Sequence, residues 1–121
     1  MPIIDVELVH SAPASALANA STLAAAIGRA LGTPPGRTWV RLRTLDANFY
    51  AENESPLSPS ELPVFVTVLH AHLPGGPALA AEVQVLTETV ASCVGCSAER
   101  VHVQYAPAGA GRQAFGGSLV K

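Results

Sequence analysis

The residue with the most chemistry open to it stands second in the chain. If Met1 is removed, Pro2 presents a secondary amine. An ordinary terminal amine titrates at about 7.7–8.0, and an apolar pocket or nearby cations lower that value by disfavouring the protonated form. A neutral ring nitrogen then takes a proton from a carbon beside a carbonyl and returns it elsewhere. The plainer reading is that Pro2 opens a strand, where a missing N–H does little harm. Cys93 and Cys96 form a Cys-Val-Gly-Cys sequence. A redox dithiol usually draws its thiolate from a helix N-terminus, whereas this pair falls where a helix should end. A zinc site would need two more ligands at suitable spacing. Ordinary thiols packed near a helix end are therefore expected. His70 and His72 alternate at the end of one strand and His102 lies in another. They lack a third ligand at recognisable spacing, so hydrogen-bonded structural histidines are expected, with substrate contacts from His70 or His102 as the alternative.

The bulk numbers narrow the partners. The chain has 121 residues, is 49% apolar and carries a net charge of −2, with one lysine and six arginines. That suits one domain with a single core, spanning residues 1–121. No basic stripe points to nucleic acid or to an anionic membrane. The start, Met1-Pro2-Ile3-Ile4-Asp5-Val6-Glu7, has acids where a signal peptide carries bases. No apolar run approaches a membrane span, so a soluble cytoplasmic protein is expected.

The elements that must position these residues come as a repeat. Residues 2–9 read as a strand with Ile4, Val6 and Leu8 on one face and Asp5 and Glu7 on the other. Residues 14–31 place Leu17, Ala20, Ala24, Ile27 and Leu31 close to helical spacing. Gly32-Thr33-Pro34-Pro35-Gly36 ends that helix, and residues 38–45 form a second strand. The order then recurs: a strand over 63–70, a helix over 77–94 closed by Gly95, and a strand over 100–105. Leu23 matches Leu86, Ile27 matches Val90, Gly32 matches Gly95 and Arg37 matches Arg100, all at one separation. Pro2 and Pro63 match after a small gap.

Each unit is thus β-α-β with a crossover helix long enough to join parallel strands. Two units, 1–62 and 63–121, give an α+β fold: a four-stranded sheet with both helices on one face. Residues 46–62 are the linker. The glycine-rich tail from 107 reads as loop plus a short hairpin. The other sheet face would carry Asp5, Glu7, Trp39, Arg41, Arg43, His102 and Gln104. A polar face holding a tryptophan is expected to pack against further copies of the chain.

In this order and spacing the chain resembles the tautomerase superfamily, whose members include 4-oxalocrotonate tautomerase and macrophage migration inhibitory factor. The resemblance rests on Met1-Pro2 leading straight into a strand, on the two fused units, and on the exit Leu31-Gly32-Thr33-Pro34-Pro35. It rests also on Ala98-Glu99-Arg100-Val101-His102-Val103 at the last strand and on Ala114-Phe115-Gly116-Gly117 in the hairpin region. It implies a tautomerase or isomerase acting on a small 2-keto or enol acid, with Pro2 as general base and acid after Met1 removal. It implies a homotrimer and neither cofactor nor metal. Arg41 matches the strand arginine that holds substrate carboxylates, and Arg43 shares its face; ion pairs with Asp5 and Glu7 are the alternative for both. Arg112 and His102 are further substrate-binding candidates, and Phe115 is a candidate apolar wall beside Pro2. Pro63 holds the matching place in mid-chain, where its nitrogen is an amide and no base.

Departures from the family pattern are informative. His70-Ala71-His72-Leu73-Pro74 lacks the arginine pair of decarboxylase and dehalogenase members, and no acid follows Gln104. Pro34-Pro35-Gly36-Arg37 lacks the decarboxylases' aspartate, and His10-Ser11-Ala12 lacks the second arginine of short tautomerases. These absences speak against dehalogenation and decarboxylation. Two other readings stand beside the enzyme: an inactive member serving as a binding or signalling protein, and an unrelated ferredoxin-like ligand-binding domain.

Overall fold

The computed structural model describes residues 1–11 and 18–121. The elements run β1 (Ile3–His10), α1 (Ala20–Leu31), β2 (Trp39–Asp46), β3 (Val64–Leu69), α2 (Gly76–Val94), β4 (Val101–Tyr105), β5 (Ala114–Phe115) and β6 (Ser118–Leu119). The main sheet has the order β2-β1-β3-β4. β1 pairs with β2 in parallel and β3 with β4 in parallel, while the two units meet through the antiparallel pair β1 and β3. A ferredoxin-like split unit would insert a strand between the two strands of a β-α-β unit. Here both units keep their strands adjacent. The antiparallel middle is common to both arrangements, so adjacency is what separates them.

Local chemistry sets the helix ends. The Asn19 side-chain oxygen accepts the Thr22 N–H at 2.8 Å, and Asn19 itself is extended. That cap starts α1 at Ala20, later than the apolar spacing predicts, because an N-cap fixes where helical geometry begins. The part of the predicted helix over 14–17, with Leu17, lies outside the described residues. Both helices stop at a glycine in the left-handed conformation, Gly32 at φ 68° and Gly95 at φ 80°. A side chain there would crowd its own backbone, which is why a glycine stands at each exit.

Alternation along the strands then builds the core. Ile4, Val6 and Leu8 of β1 and Val64, Val66 and Val68 of β3 face Leu23 and Ile27 of α1 and Leu86 and Val90 of α2, all buried. Each such aliphatic side chain stabilises the fold by roughly 1.5–3 kcal/mol relative to exposure. Val40, Leu42, Val103 and Tyr105 pack at the margin of this cluster. The predicted facing of β1, β2 and β4 therefore holds. The tail forms the expected hairpin, with β5 and β6 joined through Gly116 and Gly117. No helix among the described residues is long and apolar enough to cross a membrane.

Candidate active site

The register orders the sheet face away from the helices into transverse rows. Trp39, Ile3 and Leu69 form the first; Arg41, Asp5, Thr67 and Gln104 the second; Arg43, Glu7, Phe65 and His102 the third. Pro2 stands one residue before the first row, at the edge of the sheet where β1 begins and β3 and β4 end.

Its ring is fully buried. Its carbonyl accepts the Trp39 backbone N–H at 3.1 Å, which ties the start of β1 to the start of β2. The Trp39 indole N–H donates to the Gly36 carbonyl at 2.9 Å. That bond fixes the ring so that Phe115 meets it edge-on, with centroids 4.8 Å apart. The glycine turn of the β5–β6 hairpin folds Phe115 back over this end. A second tail segment is tied to the end of β3. The Gly109 N–H donates to the His70 carbonyl at 2.7 Å, and the Gly109 carbonyl accepts the N–H groups of Arg112 at 2.8 Å and Gln113 at 2.7 Å. Arg112 therefore rides on a turn fastened to the end of β3, with its side chain exposed.

The structure thus gathers Pro2, Phe115 and Arg112 at one end of the sheet. It does not bring Arg41, Arg43 or His102 to Pro2 within one protomer. Arg41 opposes Asp5, three residues or about 10 Å along the strand. It sits on the open face and binds both Asp5 carboxylate oxygens, Nε at 2.6 Å and Nη2 at 2.8 Å. This exposed pair raises the Arg41 pKa through the hydrogen bonds and charge of Asp5. Arg43 lies in register with Glu7. His102 is exposed beyond it, its ring 5.6 Å from Phe65.

One cluster escaped the sequence. His70 Nε2 lies 2.8 Å from Glu82 Oε2, and the Tyr105 hydroxyl donates to the same oxygen at 2.6 Å. The His70 and Tyr105 rings stack at 6.0 Å. Together they tie α2 to the ends of β3 and β4, at the Pro2 end of the sheet. Burial pushes the Tyr105 phenol well up, helped by its bond to Glu82 and that carboxylate's charge. Spacing alone gave no signal for a contact that depends on how α2 returns over the sheet. Cys93 and Cys96 lie at the end of α2 as free, half-buried thiols, and burial raises the Cys96 pKa. Among the described residues no group of three or more His, Cys, Asp or Glu side chains is placed to hold a metal ion.

No protein-family model matches the chain, and no curated protein does. Solved structures do. A fused 4-OT, R7, an asymmetric trimer, superposes with a TM-score of 0.76 at 19% identity, covering 97% of this chain and 94% of that one. A macrophage migration inhibitory factor homologue from Prochlorococcus marinus gives 0.71 at 17% identity, covering 98% and 99%. The FG41 malonate semialdehyde decarboxylase inhibited by 3-bromopropiolate gives 0.67 at 18%, covering 94% and 90%. The fold is that of the tautomerase superfamily, with two β-α-β units fused in one chain. At these identities the likeness is one of fold, and fold does not by itself carry chemistry.

Proposed function

We propose that the chain is a proline-based tautomerase or isomerase of small 2-keto or enol carboxylic acids. The observation that carries this reading is the setting of Pro2: fully buried at the head of β1, its carbonyl bonded to the Trp39 N–H, at the end of the sheet where the Trp39 ring meets Phe115 and the turn bearing Arg112 is tied to His70. With Met1 removed, that apolar setting disfavours the ammonium form and leaves the ring nitrogen neutral near physiological pH. The nitrogen then takes the proton from C3 of a 2-keto acid. The C–H electron pair becomes the C2–C3 double bond, and the carbonyl oxygen collects a proton to give the enol. The reverse steps ketonise an enol.

The developing oxyanion and the carboxylate call for cations. Arg112 supplies one from the same protomer. Arg41, on the open face, reaches a Pro2 only across an interface between copies. A homotrimer built on that face meets this need and covers Trp39. The trimeric fused 4-OT of similar fold supports the assembly, and sedimentation at micromolar concentration tests it. With Met1 in place the Pro2 nitrogen is an amide without a basic lone pair, and this favours the second reading, an inactive binding protein of the same fold.

The test compares processed and Met1-retaining protein, each verified by intact mass. The substrates are enol acids from the three-carbon enol of pyruvate upward, phenylenolpyruvate among them. Processed protein is expected to ketonise them, faster as the amine deprotonates, and Met1-retaining protein to be inactive. Equal activity of the two forms removes the proline mechanism. Arg41→Ala is expected to weaken carboxylate-bearing substrates more than neutral ones, since it removes a charged partner and leaves the base.

A further inference from the structure

Gly109 is buried, and it is not among the glycines with positive φ. Backbone conformation therefore does not demand glycine there. Space does. A β-carbon built on Gly109 would stand 2.8 Å from Met1 Cε, 3.3 Å from Gln113 Cβ and 3.3 Å from the His70 carbonyl oxygen. Carbons that are not bonded to one another settle at about 3.5–4.0 Å, so a side chain at 109 would push the Met1 methyl, the free end of a flexible side chain, from where it lies.

The seat is stiff. Gly109 and Ala110 donate their N–H groups to the His70 and Ala71 carbonyls at 2.7 and 3.0 Å, and Gly111 donates to Val120 at 2.8 Å. The His70 ring is itself held by Glu82. Around the place a Gly109 β-carbon would take stand the Met1 methyl, a Gln113 methylene and a carbonyl oxygen already engaged by an N–H. They offer no charge to bind. The occupant is a slender, unbranched apolar chain, the methionine side chain.

We infer that removal of Met1 converts this seat into the subsite for the tail of the substrate, and that Gly109 sets its width for an unbranched aliphatic chain. The inference rests on the Pro2 reading, since it takes the released nitrogen and the emptied seat to serve one molecule. It names the substrate class more closely: linear 2-keto or enol acids, ahead of branched or aromatic ones.

The experiment uses the processed full chain and two probes, 2-oxohexanoate and pyruvate. Exchange of C3 protons into deuterated water, followed by proton NMR, gives KM and kcat. Titration of nitrogen-15-labelled protein with 2-oxohexanoate follows the Gly109 amide. The expected result is a Gly109 amide shift in processed protein and none in Met1-retaining protein. In Gly109→Ala the KM for 2-oxohexanoate relative to that for pyruvate should rise about tenfold or more, as for a pocket narrowed by one methyl group. The titration needs no variant, so a poorly folding Gly109→Ala leaves the test intact. Normal exchange with an unmoved Gly109 amide overturns the seat and spares the proline chemistry. A shifted amide without exchange overturns the proline chemistry and spares the seat. Absence of both overturns both.

Discussion

Pro2 and Pro63 occupy matching stations at the heads of the two units. Both rings are fully buried, and both carbonyls accept a backbone N–H, from Trp39 at 3.1 Å and from Val9 at 3.2 Å. Their surroundings diverge. Around Pro2 lie the Trp39–Phe115 pair and the 109–113 turn, both owed to a tail that the first unit lacks. Before Pro63 the chain arrives through a turn in which Glu61 accepts from the Ser58 N–H and hydroxyl at 3.0 and 2.7 Å. There the linker is tied down by Tyr50 and Arg100 on Glu52. The repeat thus reproduces a scaffold, while the proposed chemistry depends on what is not repeated: a chain start and a closing tail.

The sharpest way to break this comparison is to change the two prolines in turn. Pro2→Ala in processed protein should lose about 10²–10⁴-fold in kcat/KM, the usual worth of a general base. Pro63→Ala should stay within about twofold in rate and show its effect as a lower Tm. Equal losses in rate would mean that Pro2 matters only as packing. The scaffold should answer symmetrically: Leu23→Ala and Leu86→Ala, both at fully buried positions, should each cost about 2–5 kcal/mol in urea unfolding. A much milder loss at one of them would show that the two units are not equivalent supports.

Smaller effects separate the Pro2 end further. The Tyr105 phenol is raised above its unfolded value of about 10, so the folded chain holds that proton when the unfolded chain has lost it. Stability from this group is full below about pH 10 and is lost as pH climbs towards the folded value. Tyr105→Phe should flatten that alkaline decline, measured by unfolding at about pH 8 and about pH 11, and should cost about 0.5–1.5 kcal/mol at the lower pH. The smallest change belongs to Cys96→Ser, remote from Pro2, which should leave turnover intact with a modest loss of Tm. A large loss of turnover without unfolding would revive a redox role for the pair.

Most of the scaffold was legible because it follows from short-range rules. Strand alternation placed Ile4, Val6 and Leu8 inward, and the matched Gly32 and Gly95 marked both helix exits. The expected helix over 14–31 gives up residues 18 and 19, because the alanine-rich run carries apolar spacing across the point where Asn19 caps α1, and its part over 14–17 lies outside the described residues. The candidate site was legible in part. Pro2, Arg112 and Phe115 share one end of the sheet, but nothing in their spacing said so, since the tail's path is set by long-range bonds such as Gly109 to His70. The His70–Glu82–Tyr105 cluster was hidden for the same reason, joining three elements whose approach is decided by helix packing. Nothing in the sequence separates Gly109 from other loop glycines, because its neighbour Met1 is brought to it by the long-range path of the tail.

Trp39 is the only tryptophan in the chain, and it is 45% exposed on the face proposed to meet other copies. Its indole N–H is already committed to Gly36 and its ring to Phe115, so the polarity it senses is set mainly by whatever covers the open face. The molecule therefore carries its own optical gauge. Fluorescence from this one ring lies to the red while water reaches it and moves to the blue as a neighbour excludes that water. A dilution series read at a single wavelength thus follows assembly without any label, beside the residue whose nitrogen is proposed to do the work.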